Sequence, residues 1–268
     1  MLSRRKLLAG TGALAAAGAL DAFGIEPRWL ELSEHAVPVS KLPRSLEGLT
    51  VMQITDAHLT TLGVLERSIA QAVRARSPQL VVLSGDIVDS EARLPALMEL
   101  CSELAHSGAQ LFATFGNWEH WGKVSRETLS ERYRAAGVRL LVNETVLAEG
   151  LSISATDDAL AGSVRWDHTL KGLSSGPRLL VTHSPALLDR PPPESPRFDL
   201  CMAGHTHGGQ VRAGSIAPLT PPGSGRFVAG EYDTPFGPAY VSRGTGTSVV
   251  PARFCCRPEL PLFRWVRA

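Results

Sequence analysis

The amino-acid sequence predicts an α/β domain built around a largely parallel sheet. Short apolar runs typical of buried strands alternate with stretches of helical periodicity, as in successive βαβ units. At 268 residues with 44% hydrophobic side chains, the chain is long enough to bury the core of one such domain. Five of the apolar runs are each followed by a side chain of a metal-binding type. These observations together predict one domain with a functional site at a single edge of its sheet.

The first residues differ in composition from the rest of the chain. Ser3-Arg4-Arg5-Lys6 precedes an apolar Ala/Gly/Leu stretch that ends at Leu20, short of the roughly 20 residues that span a bilayer. Paired arginines before such a stretch are typical of twin-arginine export signals, and Ala17-Gly-Ala19 offers a small-residue cleavage site. Residues 1–25 are therefore predicted to be a twin-arginine signal peptide or an N-terminal anchor. The alternative is an amphipathic or buried N-terminal helix.

The elements that follow come in a regular order. Residues 27–39 alternate apolar and polar side chains, which predicts a strand, with prolines that indicate an edge or a loop. Three helices are predicted, each followed by a Pro or a Gly, over residues 65–76, 94–107 and 126–136. The five buried strands are predicted over residues 49–54, 80–83, 111–115, 179–181 and 200–203.

Beyond residue 138 the pattern changes. Short strand-like runs over residues 139–142, 145–148 and 151–155 are separated by Asn-Glu and Glu-Gly turns. They predict a second, more antiparallel sheet. We assign residues 46–268 to one domain.

Seven side chains at the strand ends carry the candidate chemistry. They are Asp56, His58, Asp86, Asn117, His183, His205 and His207. A metal centre that keeps positions open for water and substrate uses about three to five protein ligands, so seven suggest two ions that share a carboxylate. Asp86, central in the order, is the natural bridge.

Five motifs carry a resemblance. They are Asp56-Ala-His58, Gly85-Asp86-Ile-Val-Asp89, Gly116-Asn117-Trp-Glu119, His183 and Gly204-His205-Thr-His207-Gly-Gly. In this order they resemble the calcineurin-like metallophosphoesterase superfamily, and the leader resembles that of its exported bacterial phosphodiesterase branch. The resemblance implies a four-layer α/β/β/α sandwich, in which two mixed sheets are flanked by helices.

The resemblance also implies the arrangement of the ligands. Asp56, His58 and His207 would form one metal site, Asn117, His183 and His205 the other, and Asp86 would bridge them. Asp86 and Asn117 would thereby serve catalysis directly. The mixed imidazole and carboxylate set suits two divalent ions such as Mn, Fe or Zn. Such a pair binds phosphate oxygens and holds a bridging hydroxide for in-line attack.

One position departs from the resemblance. Trp118 stands where most of the superfamily has a His that serves the leaving group, and an indole cannot transfer a proton. His120 could substitute for it, or be a surface or supporting residue. Arg243 is a candidate phosphate contact, with a turn and salt bridge as the alternative.

Two further groups of side chains are left open by the sequence. Trp118, Trp121 and Trp166 would either line the mouth of the site or belong to the core. Asp157-Asp158 would either support a metal-ligating His or form a turn.

We therefore expect a two-metal hydrolase of phosphodiester or pyrophosphate bonds that is exported to the periplasm or the outer face of the cytoplasmic membrane. Its expected partners are a phosphate-ester substrate, which a lipid could carry, the twin-arginine export machinery and a membrane surface. We expect a monomer. A net charge of +1 argues against nucleic-acid binding. The alternatives are a phosphomonoesterase and a non-catalytic metal-binding scaffold, whereas a metallo-β-lactamase is excluded because its His-x-His-x-Asp-His block is missing.

Overall fold

The computed structural model describes residues 4–214 and 216–268, so the first three residues of the predicted leader lie outside the described residues. Its first sheet has six strands in the spatial order β1-β12-β2-β3-β4-β5. All neighbours pair in parallel except β12 and β2. The strands are β1 (Glu31–Val39), β2 (Thr50–Ile54), β3 (Leu80–Ser84), β4 (Gln110–Thr114), β5 (Val138–Leu140) and β12 (Glu259–Arg267).

The second sheet also has six strands, in the order β10-β11-β9-β8-β7-β6. Its central pairs are parallel, and an antiparallel pair lies at each edge. Two antiparallel pairs against one make it the more antiparallel of the two sheets, as predicted. The strands are β6 (Glu144–Ala148), β7 (Leu151–Ala155), β8 (Arg178–Val181), β9 (Leu200–Ala203), β10 (Gly230–Thr234) and β11 (Gly237–Val241).

Six α-helices accompany the sheets in the described residues. Three of them, α2, α3 and α5, bury apolar stripes against the outer face of the first sheet. None of the described helices is both long enough and apolar enough to cross a bilayer. The helices are α1 (Arg4–Leu20), α2 (Val64–Arg76), α3 (Leu94–Ala105), α4 (Asn117–Trp121), α5 (Arg126–Ala135) and α6 (Trp166–Thr169).

The inner faces of the two sheets form the central apolar layer, in which Trp265 and Phe263 are fully buried. The outer face of the second sheet is covered by the short helix α6, the 3₁₀ turn Pro185–Asp189 and loops. The predicted four-layer arrangement of two mixed sheets with flanking helices is thus confirmed, with a thin fourth layer.

Two details of the predicted organisation are wrong. Residues 139–142 were expected in the second sheet, but Val138–Leu140 pairs in parallel with β4 in the first sheet, because α5 provides the crossover that a parallel neighbour needs. The domain boundary at residue 46 also falls too late. Strand β1 precedes it and pairs with β12 along nine positions.

The segment before β1 is packed into the domain as well. Glu26 is buried, and its carboxylate accepts hydrogen bonds from the backbone N–H groups of Cys255, at 2.8 Å, and Cys256. The N–H of Arg253 donates to the carbonyl of Ala22 at 2.9 Å. The predicted division at residue 25 therefore falls inside a segment that the C-terminal part of the chain holds in place.

Candidate metal centre

All seven predicted ligands follow the carboxyl ends of parallel-paired strands. Asp56 and His58 follow β2, Asp86 follows β3, Asn117 begins α4 after β4, His183 follows β8, and His205 and His207 follow β9. The two sheets face each other, so their carboxyl ends bring these loops to one edge of the sandwich. The ligands of the first sheet thereby meet those of the second.

The side chains form two clusters. Asp56, His58 and His207 offer ligand atoms that all lie within 4.8 Å of one another, and so do Asp86, His183 and His205. They contain every Asp and His of the two groups that the resemblance implies. Asp86 lies between them, because its Oδ2 is 3.1 Å from Nε2 of His183 and 3.8 Å from Nε2 of His58. That position is the one required of a bridging carboxylate.

The donor atoms fit divalent ions. Nε2 of His58 and Nε2 of His207 face each other at 3.2 Å, which places two imidazole nitrogens around a common point. Oδ1 of Asn117 is buried and has no hydrogen-bond partner. Buried polar atoms are nearly always satisfied, so such an atom beside a carboxylate cluster indicates that a cation completes the site.

Backbone carbonyls fix the orientation of two imidazoles. Nδ1 of His183 lies 2.9 Å from the carbonyl of Ser84, and Nε2 of His205 lies 2.7 Å from the carbonyl of Pro222. A ring nitrogen facing a carbonyl must carry its proton, which leaves Nε2 of His183 and Nδ1 of His205 free to accept a metal. The fold therefore sets the tautomer of both rings.

The ligand loops have an unusual backbone conformation. A positive φ is uncommon outside glycine and costs on the order of 1–3 kcal/mol, so it persists where the surrounding structure imposes it, often at functional sites. Hydrogen bonds from the N–H of His58 to the carbonyl of Asp86, at 3.0 Å, and from the N–H of Asp56 to the carbonyl of Gly85, at 3.1 Å, hold two of these loops together. The five ligands with positive φ are Asp56 (53°), His58 (43°), Asp86 (52°), His205 (72°) and His207 (50°).

Two glycines allow the loops to approach each other. A Cβ on Gly116 would collide with the side chain and backbone of Asp86, and a Cβ on Gly204 would collide with Thr55 and Asp56. These glycines are required for space rather than for flexibility.

Glu119 joins the two ligand loops of the first sheet, and the sequence reasoning did not single it out. Its buried carboxylate accepts four backbone hydrogen bonds of 2.7–3.2 Å from the loops that carry Asp86 and Asn117. The available signal was its spacing from Gly116, since an acidic residue at the third position of a helix accepts from the backbone N–H of the N-cap residue, as in the acidic half of a capping box. The donors are the N–H groups of Asp86, Ile87, Val88 and Gly116.

The buried charges shift one another's pKa. Burial acts to raise the pKa of Asp86, but the charge of His183 and its hydrogen bond lower it overall. Burial acts to lower the pKa of His183, but Asp86 raises it well above its usual value. Burial, followed by the charge of His58, holds the pKa of His207 well below its usual value. Burial and the Asp86 charge raise the pKa of Glu119 to about 7 against the effect of its N–H donors.

His120 lies on α4, one turn after Asn117, and is held by a carboxylate. Its Nε2 is 2.8 Å from Oδ1 of Asp157, and its ring meets Phe115 edge to face. This hydrogen bond is the main cause that raises the pKa of His120, and it helps to lower that of Asp157 although burial of the carboxylate opposes this. Asp158, the next residue, accepts a hydrogen bond from Ser184 Oγ at 2.5 Å. The Asp157-Asp158 pair therefore supports neighbours of the metal ligands.

The three tryptophans lie in two different parts of the structure. Trp118 meets the ring of His58 edge-on at a centroid distance of 5.8 Å, and Trp121 meets Trp118 at 5.6 Å. Trp166 instead packs against Phe236 in the outer cluster of the second sheet. Of the two alternatives left open for Trp166, the core is therefore the one observed, because α6 lies on the outer face of that sheet.

The positive charge of Arg243 is already paired with carboxylates. Its guanidinium lies 3.1 Å from Glu31 and 3.3 Å from Glu259, and its backbone N–H donates to Glu259 at 3.0 Å. The salt-bridge alternative thus describes its contacts, and the predicted phosphate contact is corrected accordingly. Two carboxylates already neutralise the charge that a phosphate would need.

A groove of about 630 Å³ opens beside the first cluster. His58 and Trp118 are part of its lining. Most of the remaining lining comes from the segments 23–28, which includes Phe23 and Arg28, 57–66 and 246–251. One metal ligand, His58, therefore faces a groove that the N-terminal segment helps to build.

Comparison with known proteins agrees with this geometry. A family model described as calcineurin-like phosphoesterase matches residues 49–209. The uncharacterized metallophosphoesterase YkuE of Bacillus subtilis is 31% identical over 98% of this chain and 97% of its own. The phosphodiesterase YaeI of Escherichia coli is 30% identical over 99% of this chain and 100% of its own.

The fold and the paired ligand clusters define a metal-dependent phosphoesterase. The chain belongs to the calcineurin-like phosphoesterase family.

Proposed function

We propose that this phosphoesterase hydrolyses phosphodiester or pyrophosphate bonds at a two-metal centre. The observation that carries the proposal is the position of Asp86, whose Oδ2 faces ligands of both clusters at 3.1 and 3.8 Å. The full-length similarity to YaeI, a protein named as a phosphodiesterase, supports the choice of a diester. Mn, Fe or Zn suits the donor set.

The ions, when bound, supply Lewis acidity and an activated water for in-line displacement at phosphorus. The protein's own residues hold that centre in place. Asp86 joins the clusters, and the backbone carbonyls of Ser84 and Pro222 orient His183 and His205. The unpartnered Oδ1 of Asn117 would add an oxygen ligand without adding negative charge. Low total charge keeps the ions strongly electrophilic.

We assign proton donation to His120, because Trp118 cannot transfer a proton. Asp157 holds Nε2 of His120 and raises its pKa, which leaves Nδ1 for a leaving group or an intervening water. A proton donor matters most when the leaving group is a poor one, where it contributes about 10²- to 10⁴-fold. His120→Asn should therefore slow an alkyl diester far more than a nitrophenyl diester. Equal effects on both substrates would remove His120 from this role.

The proposed location is the cell envelope, reached through the twin-arginine route. The paired Arg4-Arg5 and the apolar helix α1, whose described side chains are almost all exposed, support it. A fusion of residues 1–30 to a reporter that is exported only when folded tests this directly. Export should stop when Arg4 and Arg5 are both changed to Lys, and export that continues would contradict the proposed route.

The experiment for the activity uses the full chain, because Ala22 and Glu26 belong to the packed domain. Metal content and hydrolysis of bis(p-nitrophenyl) phosphate are measured for the Mn-loaded protein beside Asp86→Asn. Two ions per chain and turnover that falls by about 10³-fold in the variant are expected, since Lewis-acid stabilisation is worth several kcal/mol. The corresponding monoester, p-nitrophenyl phosphate, is assayed beside it, and turnover of the monoester alone would favour a phosphomonoesterase. Two bound ions with no turnover of either ester would favour a non-catalytic metal-binding protein.

A further inference from the structure

Five exposed apolar side chains lie in or beside the groove at the metal centre. We call them the apolar rim, and their exposed fractions run from 48% to 92%. Phe23, Val64 and Val249 line the groove itself. Val250 follows Val249 in the chain, and Trp121 packs on Trp118, which lines the groove. Exposed apolar side chains grouped around a groove are typical of interaction sites. The residues are Phe23, Val64, Trp121, Val249 and Val250.

Val249 is the most exposed of them and has a strained backbone. Its φ is 63°, a region that β-branched residues avoid, and 92% of its surface is accessible. An Asn at this position would adopt the positive φ with less strain and would expose a polar side chain to water instead of an apolar one. The surrounding loop therefore presents an apolar side chain outward at a cost in stability, as functional segments do.

The N-terminal segment indicates what this surface contacts. Helix α1 is an Ala/Gly/Leu-rich helix that begins at Arg4, and its described side chains are almost all exposed. The chain continues from it through Ala22 to Phe23, which lines the groove. The carbonyl of Ala22 is held by Arg253, so the end of this apolar helix is fixed beside the rim. Membrane binding grows with the apolar area buried in the interface and with the attraction of basic residues to anionic lipids, and the N-terminal segment offers both.

The polar part of the groove carries charges of both signs. Arg28, an exposed cation, and the metal ligand His58 line it together with Glu66 and Asp89. A bilayer presents acyl chains and phosphate groups in adjacent layers, and this side of the protein offers apolar side chains beside one cation, Arg28, that meets a phosphate.

We propose that the apolar rim docks on a lipid bilayer, so that the groove leads from the membrane surface to the metal centre. The substrate class that follows is a phosphodiester or pyrophosphate carried by a membrane lipid, and this part rests on the proposed function. The docking itself does not, because it needs no turnover.

Docking is tested with the full chain and vesicles of equal parts phosphatidylcholine and phosphatidylglycerol. Vesicle partitioning is measured by sedimentation for the wild type, Val64→Asn, Val249→Asn and the matched control Leu147→Asn. Leu147 is 66% exposed, close to the 67% of Val64, but lies on strand β6 at the edge of the second sheet. Each rim variant should lower the partition coefficient by about tenfold, the value of one inserted Val side chain, and the control should not.

Val249→Asn also separates docking from folding. Asn tolerates positive φ, so this variant should melt at or above the wild-type temperature while it binds vesicles less. Quenching of tryptophan emission by brominated phosphatidylcholine then locates the contact. Quenching should fall in Trp121→Phe if the rim meets the acyl layer.

The outcomes decide the proposal. Equal partitioning of rim variants and control, or quenching that Trp121→Phe leaves unchanged, would mean that α1 alone binds lipid and would overturn it. If the protein forms a dimer in the absence of vesicles and Val249→Asn dissociates it, the rim is an interface between two copies, and the docking proposal is overturned too. Asp86→Asn should bind vesicles like the wild type, so a failed hydrolysis assay and a failed docking assay are distinguishable.

Discussion

Replacing Glu119 by Gln tests whether one buried carboxylate holds the two loops of the metal centre together. In the structure Oε1 accepts the N–H groups of Ile87 and Val88, and Oε2 accepts those of Asp86 and Gly116. The amide of Gln keeps one acceptor oxygen and puts an N–H₂ donor in place of the other. Two of the four hydrogen bonds are lost, and the two backbone N–H groups that made them then face the N–H₂ donor of the Gln side chain.

The expected loss of stability follows from these contacts. Hydrogen bonds to a charged group contribute about 1.5–3 kcal/mol each, so two amount to about 3–6 kcal/mol. Removing a carboxylate whose pKa is raised to about 7 by burial and by the charge of Asp86 returns part of this. We expect a net loss of about 3 kcal/mol in the free energy of unfolding. For a chain of this size that lowers the melting temperature by roughly 6–12 °C.

Melting is followed by circular dichroism, and metal content by elemental analysis of the dialysed protein. Glu127→Gln is the matched control, because Glu127 is an exposed residue in the first turn of α5. Glu119→Gln should lose both stability and bound metal, since its loops carry Asp86 and Asn117. Unchanged melting and full metal content in Glu119→Gln would refute the inference that its carboxylate positions the ligands.

Three further predictions concern the site and the core. Removing the His120–Asp157 pair by His120→Asn should cost about 1 kcal/mol or less. Both members of the pair are charged only between the lowered pKa of Asp157 and the raised pKa of His120. The melting temperature of the variant should therefore fall below that of the wild type at weakly acidic pH, and the two should melt alike at alkaline pH. Gly116→Ala puts a Cβ against Asp86 and should cost about 1–3 kcal/mol and release metal, whereas full metal content would show that the loops can separate. Trp265→Ala empties the buried layer between the sheets and should cost about 3–5 kcal/mol in urea unfolding, and a cost below 1 kcal/mol would mean that the layer closes around the gap.

Several elements could be predicted because their signals are local. Apolar runs fix β2, β3, β4, β8 and β9, and periodicity with terminal Pro or Gly fixes α2, α3 and α5 within one or two residues. The ligand residues could be named because the carboxyl ends of parallel strands meet at one edge. The grouping into two clusters came from the resemblance, and the distances around Asp86 agree with it.

Other features could not be predicted, because they depend on partners far away in the chain. The assignment of Val138–Leu140 to the first sheet depends on a free edge of β4, and the role of β1 depends on β12, more than 200 residues later. Arg243 after a strand has the pattern of a phosphate contact until Glu31 and Glu259 are placed beside it.

The sequence by itself determined the fold class, the family and the identity of the candidate ligands, because each rests on residue types at fixed spacings along the chain. The tertiary structure decided which ring nitrogens are free, that Asp157 holds His120, that Glu119 joins two ligand loops, and that the N-terminal segment forms a wall of the groove. The physical reason is that these properties belong to pairs of atoms. Their separation in space is set by the packing of both sheets and leaves no trace in the local pattern of either partner.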